Sequence, residues 1–135
     1  MSTGLKVAFL GTGLMGLPMA INILKAGFSV NAWNRSPDKA QALVAFGGSI
    51  ANSPGEAVTD AGVVITMLSN GPAVADLLFS NGVANAISKG AVFIDMSSIK
   101  PSEARDHAAQ LADRGIAALD APVSGGTKGA EAGTL

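Results

Sequence analysis

Three glycines near the start of the chain have the spacing of a phosphate-binding turn. The segment VAFLGTGLMGLPMA contains Gly11, Gly13 and Gly16 in the pattern G-x-G-x-x-G. In such a turn the first glycine permits a sharp bend, the second lets main-chain N–H groups approach a pyrophosphate, and the third allows a helix to pack closely on a strand. The N-terminus of that helix offers unpaired N–H donors to the anion. The pattern alone is weak, because the chain contains 17 glycines, and a turn that binds nothing remains the alternative.

The residues after the second apolar run indicate which dinucleotide would fit. An NAD-specific site usually has an acidic residue there to bind the ribose hydroxyls, whereas this chain has Asn34, Arg35 and Ser36. A guanidinium forms charge-assisted hydrogen bonds with the 2′-phosphate of NADP, which a carboxylate would repel. The sequence therefore favours NADP over NAD, and Asn34 could bond a ribose hydroxyl of either. The alternative is that Arg35 is a solvated loop residue and that Ser36 only caps a helix.

Polar residues also follow the three later apolar runs. Ser69 and Asn70 follow one run, Ser97 and Ser98 follow the next, and the last leads into the segment DAPVSGG, residues 120–126. Ligands of an open parallel sheet bind outside the carboxyl ends of its strands, so we expect these residues to meet there. The two glycines that end the last segment would let N–H groups converge on a carboxylate. The alternative is that each serine is only a cap or turn residue.

The other titratable residues form no catalytic pattern. His107, the only histidine, is expected to be a solvated residue of a helix, and Asp95 and Asp120 are expected to bond the backbone of neighbouring loops. No pair of carboxylates has the spacing of a glycosidase or a metal site. The chain has no cysteine, which excludes disulfides, thiol nucleophiles and cysteine-ligated metals and suits a reducing cytoplasm.

These residues need a scaffold, and the pattern of apolar residues predicts a parallel sheet. We expect strands at residues 5–10, 28–33, 63–68, 91–96 and 116–121, with a short one at 49–51. We expect helices from 13–16 to 27, from 36–37 to 47, from a capping box at 53–56, after 71–72, and over 101–114. The helix before residue 47 should bury Ala40, Leu43 and Val44, and the last should bury Ala104, Ala108 and Leu111. The alternation predicts an α/β fold with a doubly wound parallel sheet of the Rossmann type.

Length and composition limit the possible partners. A chain of 135 residues is expected to form one domain over 1–135. The net charge of −1 provides no positive field for nucleic acid or an anionic membrane. The apolar run over residues 7–24 is interrupted by glycine and proline, which argues against a transmembrane helix or a signal sequence.

Five segments together resemble the β-hydroxyacid dehydrogenase family, which includes 3-hydroxyisobutyrate dehydrogenase and tartronate semialdehyde reductase. They are FLGTGLMGLPMAINILKAG, WNRSPDKA, ITMLSN, FIDMSSIKP and LDAPVSGGTKGAEAGTL. The resemblance covers essentially the whole chain and implies reversible hydride transfer between NAD(P) and a small 3-hydroxy acid or its semialdehyde.

The resemblance also implies a role for each residue that matches a family motif. The pyrophosphate would be bound by Gly11, Thr12, Gly13, Leu14, Met15 and Gly16, and the adenosine end by Asn34, Arg35 and Ser36. Met67, Leu68 and Ser69 would lie along the cofactor, Ser98 beside the nicotinamide and the substrate, and Ser124, Gly125 and Gly126 at the substrate carboxylate. The family usually has proline where Ser69 stands, which weakens that one assignment.

The family's catalytic lysine has no counterpart in this chain, since Lys128 lies in a different motif. In the family that lysine follows further strands and precedes a helical second domain. The resemblance therefore implies a nucleotide-binding half that binds cofactor without turnover and whose exposed apolar surface favours a homo-oligomer. The alternative is a non-catalytic Rossmann binding protein of the same family. Imine reductases and phosphogluconate dehydrogenases are further alternatives among Rossmann proteins.

Overall fold

Six parallel strands form the centre of the molecule. The structure, a computed structural model, describes residues 4–135. The strands are β1 (Lys6–Leu10), β2 (Ser29–Trp33), β3 (Ser49–Ile50), β4 (Val63–Thr66), β5 (Val92–Asp95) and β6 (Ala117–Asp120). Their order in the sheet is β3-β2-β1-β4-β5-β6, and every neighbouring pair is parallel. This is the doubly wound Rossmann order. Strands β2 and β3 are added on one side of β1, and strands β4, β5 and β6 are added on its other side. The predicted fold class and all six strands are confirmed.

Helices connect the strands. They are α1 (Gly16–Lys25), a 3-10 helix (Pro37–Phe46), α2 (Pro54–Val58), α3 (Gly71–Ala75), α4 (Val83–Ala86), α5 (Pro101–Ala112) and α6 (Gly126–Ala132). The helix that begins with α3 continues with π-helical hydrogen bonds over Asp76–Ser80. Two of the expected starts have side-chain caps: Ser53 Oγ accepts from Glu56 N at 3.1 Å, and Asn70 Oδ1 accepts from Ala73 N at 2.9 Å. The sequence did not predict α4 or α6.

Side chains of β1 alternate between two hydrophobic cores, one on each face of the sheet. Val7 and Phe9 pack in the core that contains residues of α1, the 3-10 helix and α6. Ala8 and Leu10 pack in the core that contains residues of α2, α3, α4 and α5. Because the sheet is covered on both faces, its central strands are apolar almost without interruption, which is the pattern that made them visible in the sequence.

The helix that follows β2 differs from the prediction in its hydrogen bonding. Ala40 and Leu43 are fully buried, as expected, but Val44 is 54% exposed. The segment is a 3-10 helix, and three residues per turn place Ala40 and Leu43 on the same face while turning Val44 toward solvent. The prediction for Val44, which assumed an α-helix, is wrong.

Helix α5 also turns a different residue toward the core. His107, expected to be solvated, is 4% exposed and lies one turn before the fully buried Leu111. Its ring packs on Phe79 with the centroids 5.8 Å apart. Ala104 and Ala108 are only partly buried. The prediction for His107 is wrong because it followed from the polarity of the side chain alone. In the structure the ring of His107 is buried against Phe79, which lies in the π-helical segment after α3.

Among the described residues, no helix has both the length and the apolar character that a membrane crossing requires.

Candidate functional site

The glycine turn lies where the carboxyl ends of three strands meet. Gly11 N donates to Trp33 O of β2 at 2.9 Å, and Met67 N donates to Leu10 O of β1 at the same distance. Gly11 has φ of +106°, and a Cβ there would overlap Met67 O. The turn therefore needs glycine at position 11 for its conformation and for its contact with the segment after β4. This place between β1 and β4 is the crevice in which doubly wound sheets bind ligands.

The other two glycines of the motif have opposite surroundings. A Cβ on Gly16 would overlap the carbonyl oxygen of Gly11 and lie 3.1 Å from Cε1 of Phe9, so this glycine allows α1 to pack against the turn. A Cβ on Gly13 would have no atom within 4 Å. The packing of the protein itself does not require glycine at position 13, and the open space there matches the close main-chain approach of a pyrophosphate.

The N-terminus of α1 is available to an anion. Met15 occupies the cap position without a side-chain hydrogen bond, and the first turn contains no acidic residue. Helix dipoles favour negative charge at such an end, and the first N–H groups of a helix have no partner within it. Leu14 projects from the turn with 86% of its surface exposed, so only its main chain is placed to contribute to the anion site. The open space over Gly13 and the uncapped end of α1 are compatible with a bound diphosphate, and its assignment to residues 11–16 stays a prediction.

A side chain from the end of β2 holds the turn in place. Asn34 Oδ1 accepts from Thr12 N at 2.9 Å, and Asn34 Nδ2 donates to Ser36 O at 3.0 Å. Thr12 is 1% exposed, and its Oγ1 has no hydrogen-bond partner among the described residues. Asn34 was expected only as a ribose ligand. The bond to Thr12 has no signal in the sequence, because the partners are 22 residues apart and no local pattern indicates such a contact.

Arg35 and Ser36 are exposed at the same end of β2. Within the described residues, no hydrogen bond or salt bridge engages the Arg35 guanidinium. Ser36 is the cap residue of the 3-10 helix by position, but its side chain makes no capping bond. Both side chains are therefore available to a ligand, and the interpretation of Ser36 as only a side-chain cap is not supported.

A buried polar network joins the ends of β4 and β5. Asp95 Oδ1 accepts from Thr66 Oγ1 at 3.0 Å and from Ser97 N at 2.9 Å. Ser97 Oγ accepts from Leu68 N at 2.8 Å. The prediction that Asp95 bonds a neighbouring loop is confirmed. For Asp120, its partner in register on β6, the same prediction is wrong: the side chain is exposed, and no hydrogen bond from the described residues reaches it.

The network leaves two serines exposed at the carboxyl ends of β4 and β5. Ser69 and Ser98 follow the ends of the adjacent strands β4 and β5 and are both exposed. Met67 and Leu68 are partly buried and pack against opposite cores. The structure therefore brings the residues expected along the cofactor to one edge of the sheet.

The last of the expected site segments leads into α6. Gly125 and Gly126 have φ of +133° and +63°, values that favour glycine, and Ser124 before them is exposed. Asn22 of α1 donates from Nδ2 to Ala130 O at 2.6 Å and holds α6 against α1. The sequence analysis missed α6 because its residues are mostly glycine, alanine and polar residues, without an apolar stripe of helical period.

A small cavity of about 30 Å³ lies between β5, β6 and α5. Asp95, His107 and Asp120 are among its lining residues. Asp95 Oδ2 and His107 Nδ1 are buried without a hydrogen-bond partner in the described part of the chain. A volume of this size holds one or two water molecules. Over residues 4–135, no group of three acidic or histidine side chains could hold a metal ion.

Comparison with known proteins identifies what the chain resembles. A family model described as the NAD-binding domain of 6-phosphogluconate dehydrogenase matches residues 6–135. The chain is 46% identical over 131 residues to the NAD-dependent L-serine dehydrogenase of Pseudomonas aeruginosa and covers 44% of it, with 96% of this chain aligned. It is 41% identical over 136 residues to the 2-(hydroxymethyl)glutarate dehydrogenase of Eubacterium barkeri and covers 45% of it, with 100% of this chain aligned.

A solved structure of Mycobacterium tuberculosis 3-hydroxyisobutyrate dehydrogenase with L-serine superposes on this chain with a TM-score of 0.90. The two are 41% identical, and the match covers 98% of this chain and 44% of the other. The chain thus spans less than half the length of the relatives it matches.

Proposed function

The chain belongs to the family of NAD-binding domains described for 6-phosphogluconate dehydrogenase, and from this premise we propose that it is the NADP-preferring cofactor domain of a hydroxyacid oxidoreductase. The reaction is hydride transfer between the nicotinamide and a small 3-hydroxy acid or its semialdehyde. The single observation that carries the proposal is the open space over Gly13 beside the uncapped N-terminus of α1. Main-chain N–H groups at that place bind the diphosphate bridge.

The preference for NADP rests on the end of β2. Arg35 is exposed and has no partner within the described residues, so its guanidinium can bind a 2′-phosphate without first losing another bond. Asn34 replaces the acidic residue that usually selects NAD. Its oxygen and nitrogen already bond Thr12 N and Ser36 O, and the second hydrogen on its nitrogen is left for a ribose hydroxyl. One relative is named NAD-dependent, so the preference is proposed for this chain from its own residues.

The substrate class follows from chemistry that the named relatives share. The named compounds share the form HOCH2–CHR–COO⁻, in which the primary alcohol carbon is bonded directly to the carbon that bears the carboxylate. They are L-serine, 3-hydroxyisobutyrate and 2-(hydroxymethyl)glutarate. Tartronate semialdehyde is the oxidised form of the member in which R is a hydroxyl. We propose this class for the present chain, with R unassigned.

The site residues divide between the two ends of that substrate. Ser124 and the main-chain N–H groups of Gly125 and Gly126 bind the carboxylate, as a glycine-rich turn with positive φ can. Ser98 hydrogen-bonds the reacting hydroxyl or carbonyl beside the nicotinamide. In the oxidative direction, a hydride passes from the alcohol carbon to the nicotinamide and the hydroxyl proton passes to a base.

The resemblance assigns this base to a lysine that none of the 135 residues matches, and we propose cofactor binding, without the acid–base step, for these residues. General acid–base catalysis needs a group within hydrogen-bond reach of the proton it moves. A non-catalytic binding protein of the same family is the second candidate. Homo-oligomer formation and a cytoplasmic location stay predictions from the sequence.

Nucleotide titration of the purified chain tests the proposal. Calorimetry with NADPH, NADH and ADP is expected to show one site for each, with NADPH bound most tightly. Mixing the chain with NADP and D- or L-glycerate should produce no measurable NADPH. Failure of all three nucleotides to bind would reject the cofactor site, and steady turnover would show that the acid–base residue has been misplaced.

A further inference from the structure

The loops after β4 and β5 are joined where the sheet ends. Met67 N and Met96 N still donate to the neighbouring strands, to Leu10 O and Thr66 O at 2.9 Å each. One residue later, Leu68 N has left the sheet and donates to Ser97 Oγ at 2.8 Å. Ser97 is fully buried, and a buried main-chain N–H without an acceptor costs free energy comparable to a lost hydrogen bond. The Ser97 hydroxyl therefore determines where the chain turns away from β4.

Asp95 in turn orients Ser97. Its Oδ1 accepts from Ser97 N at 2.9 Å and from Thr66 Oγ1 at 3.0 Å, which ties Ser97 to β4 and β5 together. Asp95 is 2% exposed and Thr66 is fully buried. Hydrogen bonds in such buried surroundings are electrostatically stronger than in water, so the position of Ser97 is well defined.

A second contact joins α3 and α5, the helices that follow these two loops. Glu103 Oε1 accepts from Lys100 N at 2.9 Å. The Glu103 carboxylate lies so close to Gly71 that a Cβ on this glycine would overlap it. The loops are thus held at two places, at Leu68 with Ser97 and at Gly71 with Glu103, and the exposed residues Ser69 and Ser98 lie between these places.

We propose that Ser97, oriented by Asp95, is a positioning residue for the nicotinamide half of the cofactor. The inference rests on the proposed function, since Met67, Leu68, Ser69 and Ser98 are the residues assigned to that half. The adenosine half depends on a separate bond, from Thr12 N to Asn34 Oδ1 on the other side of β1. The two halves of the cofactor are therefore held by independent contacts, and loss of the Ser97 contact affects only one of them.

Because the two halves of the cofactor are held separately, loss of the Ser97 contact should weaken NADPH binding but not ADP binding. General destabilisation of the domain would weaken both. ADP carries the adenosine and diphosphate but lacks both the nicotinamide half and the 2′-phosphate of NADPH. Because the proposed 2′-phosphate contact at Arg35 is the same in the wild type and in a Ser97 variant, the change in the ratio of the NADPH and ADP dissociation constants reports on the nicotinamide half. For Ser97→Ala we expect NADPH to bind about tenfold more weakly, the effect of one lost hydrogen bond and its consequences, with ADP affinity unchanged.

Ser53→Ala is the matched control. Ser53 Oγ also accepts from a main-chain N–H, that of Glu56 at 3.1 Å, but it does so at the start of α2. We expect both dissociation constants to stay at their wild-type values in this variant.

The outcomes separate the inference from the proposed function. If Ser97→Ala has the wild-type ratio of NADPH and ADP dissociation constants, the positioning role is overturned. Binding of ADP and NADPH by the wild-type chain would still support the cofactor site. Absence of ADP and NADPH binding by the wild-type chain would overturn both. Should Ser97→Ala not fold, Ser97→Cys preserves the shape with a weaker acceptor, and the same loss of NADPH affinity relative to ADP is then required.

Discussion

The carbonyl oxygen of Gly11 occupies the place where a Cβ on Gly16 would stand. This contact lets the first turn of α1 press against the loop that leaves β1, and Phe9 of β1 lies on the other side of the same spot. The open end of α1 is thereby held next to the strand ends. Any side chain at position 16 must move the helix or the loop.

Gly16→Ala is expected to destabilise the protein by about 1–3 kcal/mol, because the added methyl group overlaps main-chain atoms that cannot rotate away. The measurement is the free energy of unfolding from urea denaturation. Gly55→Ala is the matched control, since Gly55 also lies in a helix but its Cβ would have only Ala86 Cβ nearby, at 4.0 Å. Alanine should be neutral or stabilising there by up to about 1 kcal/mol. Equal stabilities for the two variants would contradict this account of Gly16.

Gly13→Ala should weaken cofactor binding without destabilising the fold, the reverse of Gly16→Ala. A Cβ at this position meets no protein atom within 4 Å, so the free energy of unfolding is expected to stay near that of the wild type. The methyl group would instead occupy the space through which a pyrophosphate approaches the main chain. We expect NADPH affinity to fall by about tenfold or more, equivalent to one or two charge-assisted hydrogen bonds.

Calorimetric titration of Gly13→Ala measures this loss, and Gly55→Ala again serves as the control. Unchanged NADPH affinity in Gly13→Ala would mean that the pyrophosphate does not approach the main chain at this glycine.

Arg35→Ala is expected to remove most of the preference for NADPH over NADH. The guanidinium is the cationic group proposed for the 2′-phosphate, and such a charged hydrogen-bonded contact contributes about 1.5–3 kcal/mol. NADH has no 2′-phosphate, so its affinity should change little. The ratio of the two dissociation constants is the readout.

Arg105→Ala makes the same change of charge on α5, at another exposed arginine, and should leave that ratio unaltered. If Arg35→Ala still prefers NADPH over NADH, another residue must determine the choice of cofactor.

Asn22→Ala should loosen α6 without unfolding the sheet. The Asn22 amide donates to Ala130 O at 2.6 Å, a contact between residues 108 positions apart. Removing it is expected to cost about 0.5–1.5 kcal/mol and to speed hydrogen exchange at the amides of α6. Asn81→Ala, which removes only local bonds to Asp76, should not affect α6. Unaltered exchange in α6 would show that its other contacts suffice.

The parts of the fold that sequence predicted well are those with a local physical cause. Buried parallel strands must be apolar on both faces, so β4 and β5 are visible as apolar runs. Helix starts need side-chain acceptors for their first N–H groups, which is why the capping box at Ser53 predicted α2. The start of α3 was predicted from Gly71 and Pro72, and its cap, Asn70, was found only in the structure. The G-x-G-x-x-G turn also has a local cause, because its conformation and close contacts admit only glycine at Gly11 and Gly16.

The errors concern orientation, which local pattern does not determine. Val44 would be buried in an α-helix but is exposed in the 3-10 helix that forms. His107 would be solvated by its polarity but is buried against Phe79, a partner 28 residues earlier in the chain. Each outcome depends on how a helix packs on elements that are distant in sequence.

The amino-acid sequence by itself determined the alternation of strands and helices, the position of the glycine turn and the identity of the polar residues at the strand ends. These features arise from steric limits and burial within a few residues. Only the tertiary structure decided which of those residues support one another: Asn34 with Thr12, Ser97 with Leu68, and Asn22 with α6. Such hydrogen bonds form between segments that the folded sheet brings together, and their geometry depends on the packing of the whole domain.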